Sequence, residues 1–196
     1  MIRKIEKVAI YCASSDKIDP VYFEATEQIA EILVQNEITI LYGGGAKGLM
    51  GQLADTACAQ GGKIIGIIPK FMREVEWQHN GLSELILVND MHDRKRKLLE
   101  NTDAVIALPG GSGTLEELLE VITLKKLGVF TGPIIIFNQN NYFHHLIEML
   151  EKCIEENFMS EKHREIWSVI TEPNELMDAI KNAPHWDKSA ISFAAV

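Results

Sequence analysis

A glycine turn that runs straight into carboxylates is the stretch of this chain best equipped for chemistry. The turn is Pro109-Gly110-Gly111-Ser112-Gly113, and Thr114, Glu116, Glu117 and Glu120 follow it. Glycines let backbone N–H groups converge on one point without Cβ obstruction, and a helix start adds unpaired donors and the positive end of a dipole. Such a place binds anions, phosphate first among them. Three readings compete for it. A nucleoside triphosphate loop needs a lysine after the last glycine, and Thr114 stands there instead. A capping box, with Thr114 as N-cap and Glu117 as N3, would reduce the carboxylates to local helix chemistry. In the third reading the loop grips a substrate phosphate, Thr114 adds a hydroxyl, and a glutamate works on the sugar beside it.

Cations come earlier, in Met91-His92-Asp93-Arg94-Lys95-Arg96-Lys97. At about 100° per residue four consecutive cations cannot share one helix face, and solvent is the usual fate of such a run. Arg94 and Lys97 lie near one another, while Lys95 and Arg96 point elsewhere. An arginine early in a helix at a strand end can instead enter a crevice as a fork for phosphate or sugar oxygens. His144 and His145 are adjacent and so are expected to project to different sides, which argues against a metal site built from them.

The elements that must position these groups alternate. Apolar runs predict strands over residues 8–13, 38–42, 63–68, 84–88, 104–108, 133–137 and 167–171. Helical spacing fills the intervals at 20–35, from about 48 to 60, from 91, from 114 to 128, at 142–156 and at 175–181, with Asn89 or Asp90 as the cap of the third. Strands alternating with helices predict an α/β fold: a single doubly wound, Rossmann-like, largely parallel sheet covered on both faces. One domain spans residues 1–182, and 183–196 reads as a tail, either loose or packed on a partner.

A second glycine turn, Gly43-Gly44-Gly45-Ala46-Lys47-Gly48, follows the second strand and matches G-x-G-x-x-G. A dinucleotide site also wants an acid at the end of the next strand, and that strand ends in Pro69-Lys70. The turn therefore serves close approach of a nucleotide or close strand–helix packing rather than NAD. Both glycine turns lie at the carboxyl edge of the sheet, where this architecture binds ligands. Residues 71–83 read as a loop, with Glu76 and His79 its titratable groups.

Composition narrows the classes. A chain of 196 residues with 46% hydrophobic and 24% charged residues can bury one substantial core. A net charge of −9 argues against nucleic-acid binding through the whole surface. Cys12, Cys58 and Cys153 are widely spaced and form no C-x-x-C pair, which supports neither a disulfide framework nor a cysteine metal site. The apolar run after the charged N-terminus is too short for a secretory signal, and no run approaches membrane-spanning length. A reduced cytoplasmic protein that engages no membrane is the expectation.

Three motifs together resemble a known family. Pro109 to Glu117 fits P-G-G-x-G-T-x-x-E, Met91-His92-Asp93-Arg94-Lys95 fits M-H-x-R-K, and Gly43-Gly44-Gly45-x-x-Gly48-Leu49-Met50-Gly51 precedes both. In this the chain is similar to the Lonely Guy (LOG) family, cytokinin riboside 5′-monophosphate phosphoribohydrolases long mislabelled as lysine decarboxylases. Ser112 departs from the tyrosine often found at its position. The resemblance implies hydrolysis of the N-glycosidic bond of a nucleoside 5′-monophosphate, such as AMP or its N6-isopentenyl derivative, to free base and ribose 5-phosphate. It implies Arg94 and Glu117 as the catalytic pair. It implies substrate contacts at Gly44, Gly45, Glu76, Met91, Lys95, Gly110, Gly111, Ser112, Gly113, Thr114 and Thr123. Neither a metal nor an organic cofactor is needed for that reaction. A homodimer is implied as well, with the helix after the phosphate loop at its interface. Molybdenum-cofactor carrier proteins are similar in fold and glycine turns, so a non-catalytic carrier or a nucleotide sensor is the alternative.

Overall fold

The computed structural model of the chain describes residues 4–73 and 78–194. Strands form on the apolar runs: β1 (Lys7–Tyr11), β2 (Thr39–Tyr42), β3 (Ile64–Pro69), β4 (Glu84–Val88), β5 (Ala104–Ala107), β6 (Ile134–Phe137) and β7 (Ser168–Ile170). Between them run α1 (Pro20–Gln35), α2 (Gly48–Ala59), α3 (Met91–Leu99), α4 (Ser112–Lys126), α5 (His144–Glu155) and α6 (Leu176–Asn182). Every strand predicted from the sequence is present within a residue or two, and α1 has the bounds expected of it. Its cap is Asp19, whose carboxylate accepts from Val21 N, with Pro20 at the first helical position.

The seven strands pair in parallel in the order β4-β3-β2-β1-β5-β6-β7. Successive side chains of a strand point to opposite faces, and both faces are buried. Val8, Ile10, Ile40, Tyr42 and Ile106 pack with Ile29, Leu33, Leu49 and Leu53 of α1 and α2. Ala9, Tyr11, Leu41, Val105 and Ala107 pack with Leu98, Leu118, Val121 and Ile122 of α3 and α4 on the other side. The chain winds outward from β1 to β4 and then returns to place β5 on the opposite side of β1. Connections leaving β1 and β5 therefore diverge and open a crevice at their carboxyl ends, the ligand position of such a sheet.

Two expectations change here. Helix α4 begins at Ser112 with Gly111 as its N-cap, so Thr114 is a buried third residue of the helix and no Thr114–Glu117 capping box forms. Residues 183–194, which the sequence alone presents as a tail, pack on the chain's own body. Trp186 is buried and donates its indole N–H to the Lys125 carbonyl at 2.6 Å, Ala190 is buried beside it, and the Lys188 backbone rests on Gly128. A tail in water would leave that tryptophan surface exposed, and burial against α4 is the lower free-energy arrangement.

Candidate active site

A cleft of about 300 Å³ lies in the crevice between the diverging connections of β1 and β5. Residues 10–14 form one wall, Gly111–Thr114 and Glu117 a second, Gly43 and Met50 a third, and Met72, Met91, Arg94 and Leu98 the fourth. Backbone hydrogen bonds tie these walls together. Ala13 N donates to Pro109 O at 3.1 Å, Met50 N to Ala13 O at 3.2 Å, and Leu108 N to Tyr11 O at 2.9 Å.

The phosphate-loop candidate has the features an anion site requires. The first intrahelical bond of α4 runs from Leu115 N to Gly111 O, so the amides of Ser112, Gly113 and Thr114 precede the ladder, at the positive end of the helix. Gly111 brings no side chain to satisfy them. Its φ of −79° is open to any residue, and a Cβ added at Gly111 or Gly113 would meet nothing within 4 Å. Neither backbone strain nor packing requires glycine at these two positions. What glycine supplies is open approach to the amides from the cleft. Gly110 differs, because a Cβ there would fall 2.1 Å from Thr114 Oγ1.

Arg94 is buried at the base of α3, while Arg96 is exposed. Its Nη2 donates to Gly43 O at 3.3 Å, and Nη1 lies 3.5 Å from Met72 Sδ. A Cβ on Gly43 would sit 2.2 Å from Nη2, so that glycine makes room for the guanidinium. The cap of α3 is Asp90, which accepts from Asp93 N at 2.8 Å and fixes where the helix enters. Arg94 and Glu117 thus line one cleft from different elements. Their charges reach its deeper wall: burial, reinforced by Glu117 and opposed by Arg94, pushes the Cys12 thiol far up. Burial raises the Tyr11 phenol well above its ordinary range, with Glu117 adding to it.

The structure distributes the other expected site residues unevenly. Met91, Gly111, Ser112, Gly113 and Thr114 line the cleft. Gly110 lies behind it, against Thr114. Gly44 and Gly45 are not among the lining residues: Gly44 O accepts from His79 N at 3.0 Å, and Gly45 O accepts from the Tyr42 hydroxyl at 3.2 Å. Gly43, their neighbour, is the one that faces the cleft. Lys95 points to α4, with Nζ 2.5 Å from Glu116 and 3.0 Å from Glu120, and those carboxylates raise its pKa. Thr123 is exposed on α4 and donates back to Leu119 O at 2.9 Å. Glu76 lies outside the described residues.

The second glycine turn is not an open anion site. Asp16 accepts from Gly48 N at 2.6 Å and so occupies the N-terminus of α2 with a carboxylate of this chain. His144 and His145, expected to diverge, both turn toward Glu148, at 3.4 and 3.1 Å, on an exposed surface. Of the residues that line the cleft, reasoning from sequence singled out neither residues 12–14 nor Met72, and it named Gly43 and Met50 only as members of the glycine-turn motif. Placement of residues 12–14, Gly43 and Met50 beside the crevice follows from a strand order that periodicity alone does not supply.

The family model described as "Possible lysine decarboxylase" matches residues 50–180. Among curated relatives, cytokinin riboside 5′-monophosphate phosphoribohydrolase LOG7 of Arabidopsis thaliana is 38% identical over 87% of this chain and 78% of its own length. LOG3 of the same plant is 40% identical over 83% of this chain and 76% of its own. Rice carries a probable enzyme of that name, LOGL3, 37% identical over 95% and 89%. Solved structures that share the fold include the molybdenum cofactor binding protein of Rippkaea orientalis, with a TM-score of 0.69, 18% identity and coverage of 91% and 96%. The molybdenum cofactor carrier protein of Chlamydomonas reinhardtii has a TM-score of 0.70, 14% identity and coverage of 92% and 98%. Identities that low speak to the fold alone. With the family model matching most of the chain and relatives of this identity over nearly all of it, the chain belongs to the Lonely Guy family, whose model still carries the lysine decarboxylase description.

Proposed function

We propose that this protein hydrolyses the N-glycosidic bond of a nucleoside 5′-monophosphate, AMP or a cytokinin riboside monophosphate such as N6-isopentenyl-AMP, to free base and ribose 5-phosphate. One observation carries the reading: an unobstructed helix N-terminus, a buried guanidinium and the Glu117 carboxylate line a single cleft. The 5′-phosphate sits on the amides of Gly111, Ser112, Gly113 and Thr114. Glu117, one turn into the helix, then lies at about the reach from 5′-phosphate to ribose.

In the reaction the C1′–N bond breaks with its electron pair leaving on the base, while water adds its oxygen to C1′. A carboxylate beside C1′ stabilises the oxocarbenium-like sugar and takes the water proton, and the base nitrogen ends protonated. Arg94, held by Gly43 O, fixes the ribose hydroxyls or the carboxylate itself. Phosphate binding away from the scissile bond supplies the positioning energy. Lysine decarboxylation would call for a cofactor-bearing lysine, and the cleft is lined by none among the described residues.

Incubation with AMP, N6-isopentenyl-AMP and a pyrimidine monophosphate, with chromatography for free base, tests the reading and ranks the substrates. No release from any of them overturns it. Co-purified pterin fluorescence without base release would favour the carrier instead.

A second copy of this chain belongs, in this reading, on the exposed stripe of α4 formed by Leu119, Thr123 and Leu127, and light scattering during gel filtration checks the dimer mass. Among the described residues no helix is long and apolar enough to cross a membrane. All three cysteines are free, in keeping with a cytoplasmic location.

A further inference from the structure

The turn after β6 is expensive and tightly held. Asn140 and Asn141 both occupy the left-handed region, at φ +51° and +59°, a conformation asparagine tolerates better than most residues. Asn138, itself buried, accepts from Phe143 N at 2.7 Å through its side chain, and Gln139 donates to Val21 O at 3.0 Å. Phe143 is buried beneath them. Backbone of this kind persists where the surroundings over-determine it.

The turn delivers the hydroxyl of Tyr142. That group donates to Gly110 O at 2.6 Å, while the ring stands edge-on to Phe143 at 5.0 Å and to Tyr22 at 6.0 Å between centroids. In a planar trans peptide the C=O and the following N–H point in opposite directions. Holding the Gly110 carbonyl on the Tyr142 side therefore aims the Gly111 N–H away from Tyr142, and Gly111 lines the cleft whereas Tyr142 does not. The flanking peptides are fixed as well, since Pro109 O accepts from Ala13 N and Gly111 O from Leu115 N. Between them the Gly110–Gly111 peptide joins two glycines and is the most easily rotated of the loop.

We infer that Tyr142 is a positioning residue of the phosphate loop: its hydroxyl locks the Gly110–Gly111 peptide so that the Gly111 amide is preset to receive the 5′-phosphate. The inference rests on the proposed phosphate-binding role of this loop and deepens it. Tyr142 touches no reacting atom, so its effect falls on binding of the phosphorylated end and not on the chemical step.

Calorimetric titration with ribose 5-phosphate and with adenosine, alongside steady-state kinetics on AMP, tests it in wild type, Tyr142→Phe, Tyr142→Leu and Tyr22→Phe. Tyr142→Phe keeps the ring contacts and removes one hydrogen bond, so affinity for ribose 5-phosphate should fall about five- to tenfold. The KM for AMP should rise by the same factor, with kcat unchanged to within about twofold. Adenosine binding should not move, Tyr142→Leu should show the same phosphate-selective loss, and Tyr22→Phe should match wild type. Equal ribose 5-phosphate affinity in wild type and Tyr142→Phe overturns the inference, as does an equal loss for adenosine. Wild type that binds ribose 5-phosphate yet releases no base overturns the hydrolase reading alone, because the binding comparison still tests Tyr142. Wild type that binds no ribose 5-phosphate overturns both.

Discussion

Glu117→Gln keeps the length and shape of the side chain and removes its negative charge, so it separates a working carboxylate from a packing one. Loss of charge stabilisation and of the proton acceptor should lower kcat roughly a hundredfold to ten-thousandfold, with KM for AMP changed little. A variant as active as wild type would return Glu117 to a structural role. Cys12 gives a second test at this scale. Burial and the neighbouring Glu117 hold its thiol protonated, and the thiolate is the reactive form. Peptide mapping after iodoacetamide treatment at neutral pH should find Cys12 much less modified than Cys153, although Cys12 lines the cleft. Helical geometry alone only separated the four cations and set Arg94 beside Lys97; the M-H-x-R-K resemblance singled out Arg94, and the structure buries it with Leu98 one turn on. Tyr142 was not readable, since its role depends on a hydrogen bond to a glycine 32 positions away in the chain.

At the scale of elements the two glycine turns look alike in sequence and do different work. Both follow a strand and open a helix. The α4 turn leaves its amides facing the cleft, whereas the α2 turn gives its N-terminus to Asp16 and only Gly43 to the cleft. Periodicity and breaker residues located both turns, and the lack of an acid at the end of the next strand argued against NAD at the α2 turn. Which turn stayed open depended on a side chain that arrives from the β1 connection, a tertiary fact no local pattern carries. Gly48 shows the packing role directly. Its φ is +58°, and a Cβ would lie 2.6 Å from the Ser14 carbonyl carbon, so both strain and overlap oppose a side chain. Gly48→Ala should therefore cost about 1–3 kcal/mol in urea unfolding, with residual base release from AMP by the folded fraction. A variant as stable as wild type would mean that the β1 connection can shift freely, and with it one wall of the cleft.

For the whole molecule, alternation of strand and helix was enough to give the doubly wound sheet, because burial on both faces demands continuous apolar strands. Strand order was not written in any single stretch, and neither was the fate of residues 183–194, whose Trp186 reads as a tail residue until α4 is there to cover it. That last segment closes over His163, which is fully buried and stacks on Phe193 at 6.0 Å. Ser160 N donates to His163 Nδ1 at 2.9 Å, which places the proton of the neutral ring on Nε2, and Nε2 has no partner among the described residues. Burial, with Lys126 adding to it, lowers the pKa of this histidine. An unfolded chain then binds more protons than the folded one between the lowered value and the ordinary one of about 6.5. Stability from this group is accordingly complete above about pH 6.5 and is lost as the pH falls through the folded value. Melting temperatures from pH 7.5 down to about 5 should decline in wild type, and the decline should be shallower in His163→Gln, which keeps a side chain able to complete the Ser160 capping box without titrating. Parallel pH profiles for the two proteins would show that the His163 ring gains its proton at no cost, and the burial of that ring beneath Phe193 would then play no part in the acid sensitivity of the fold.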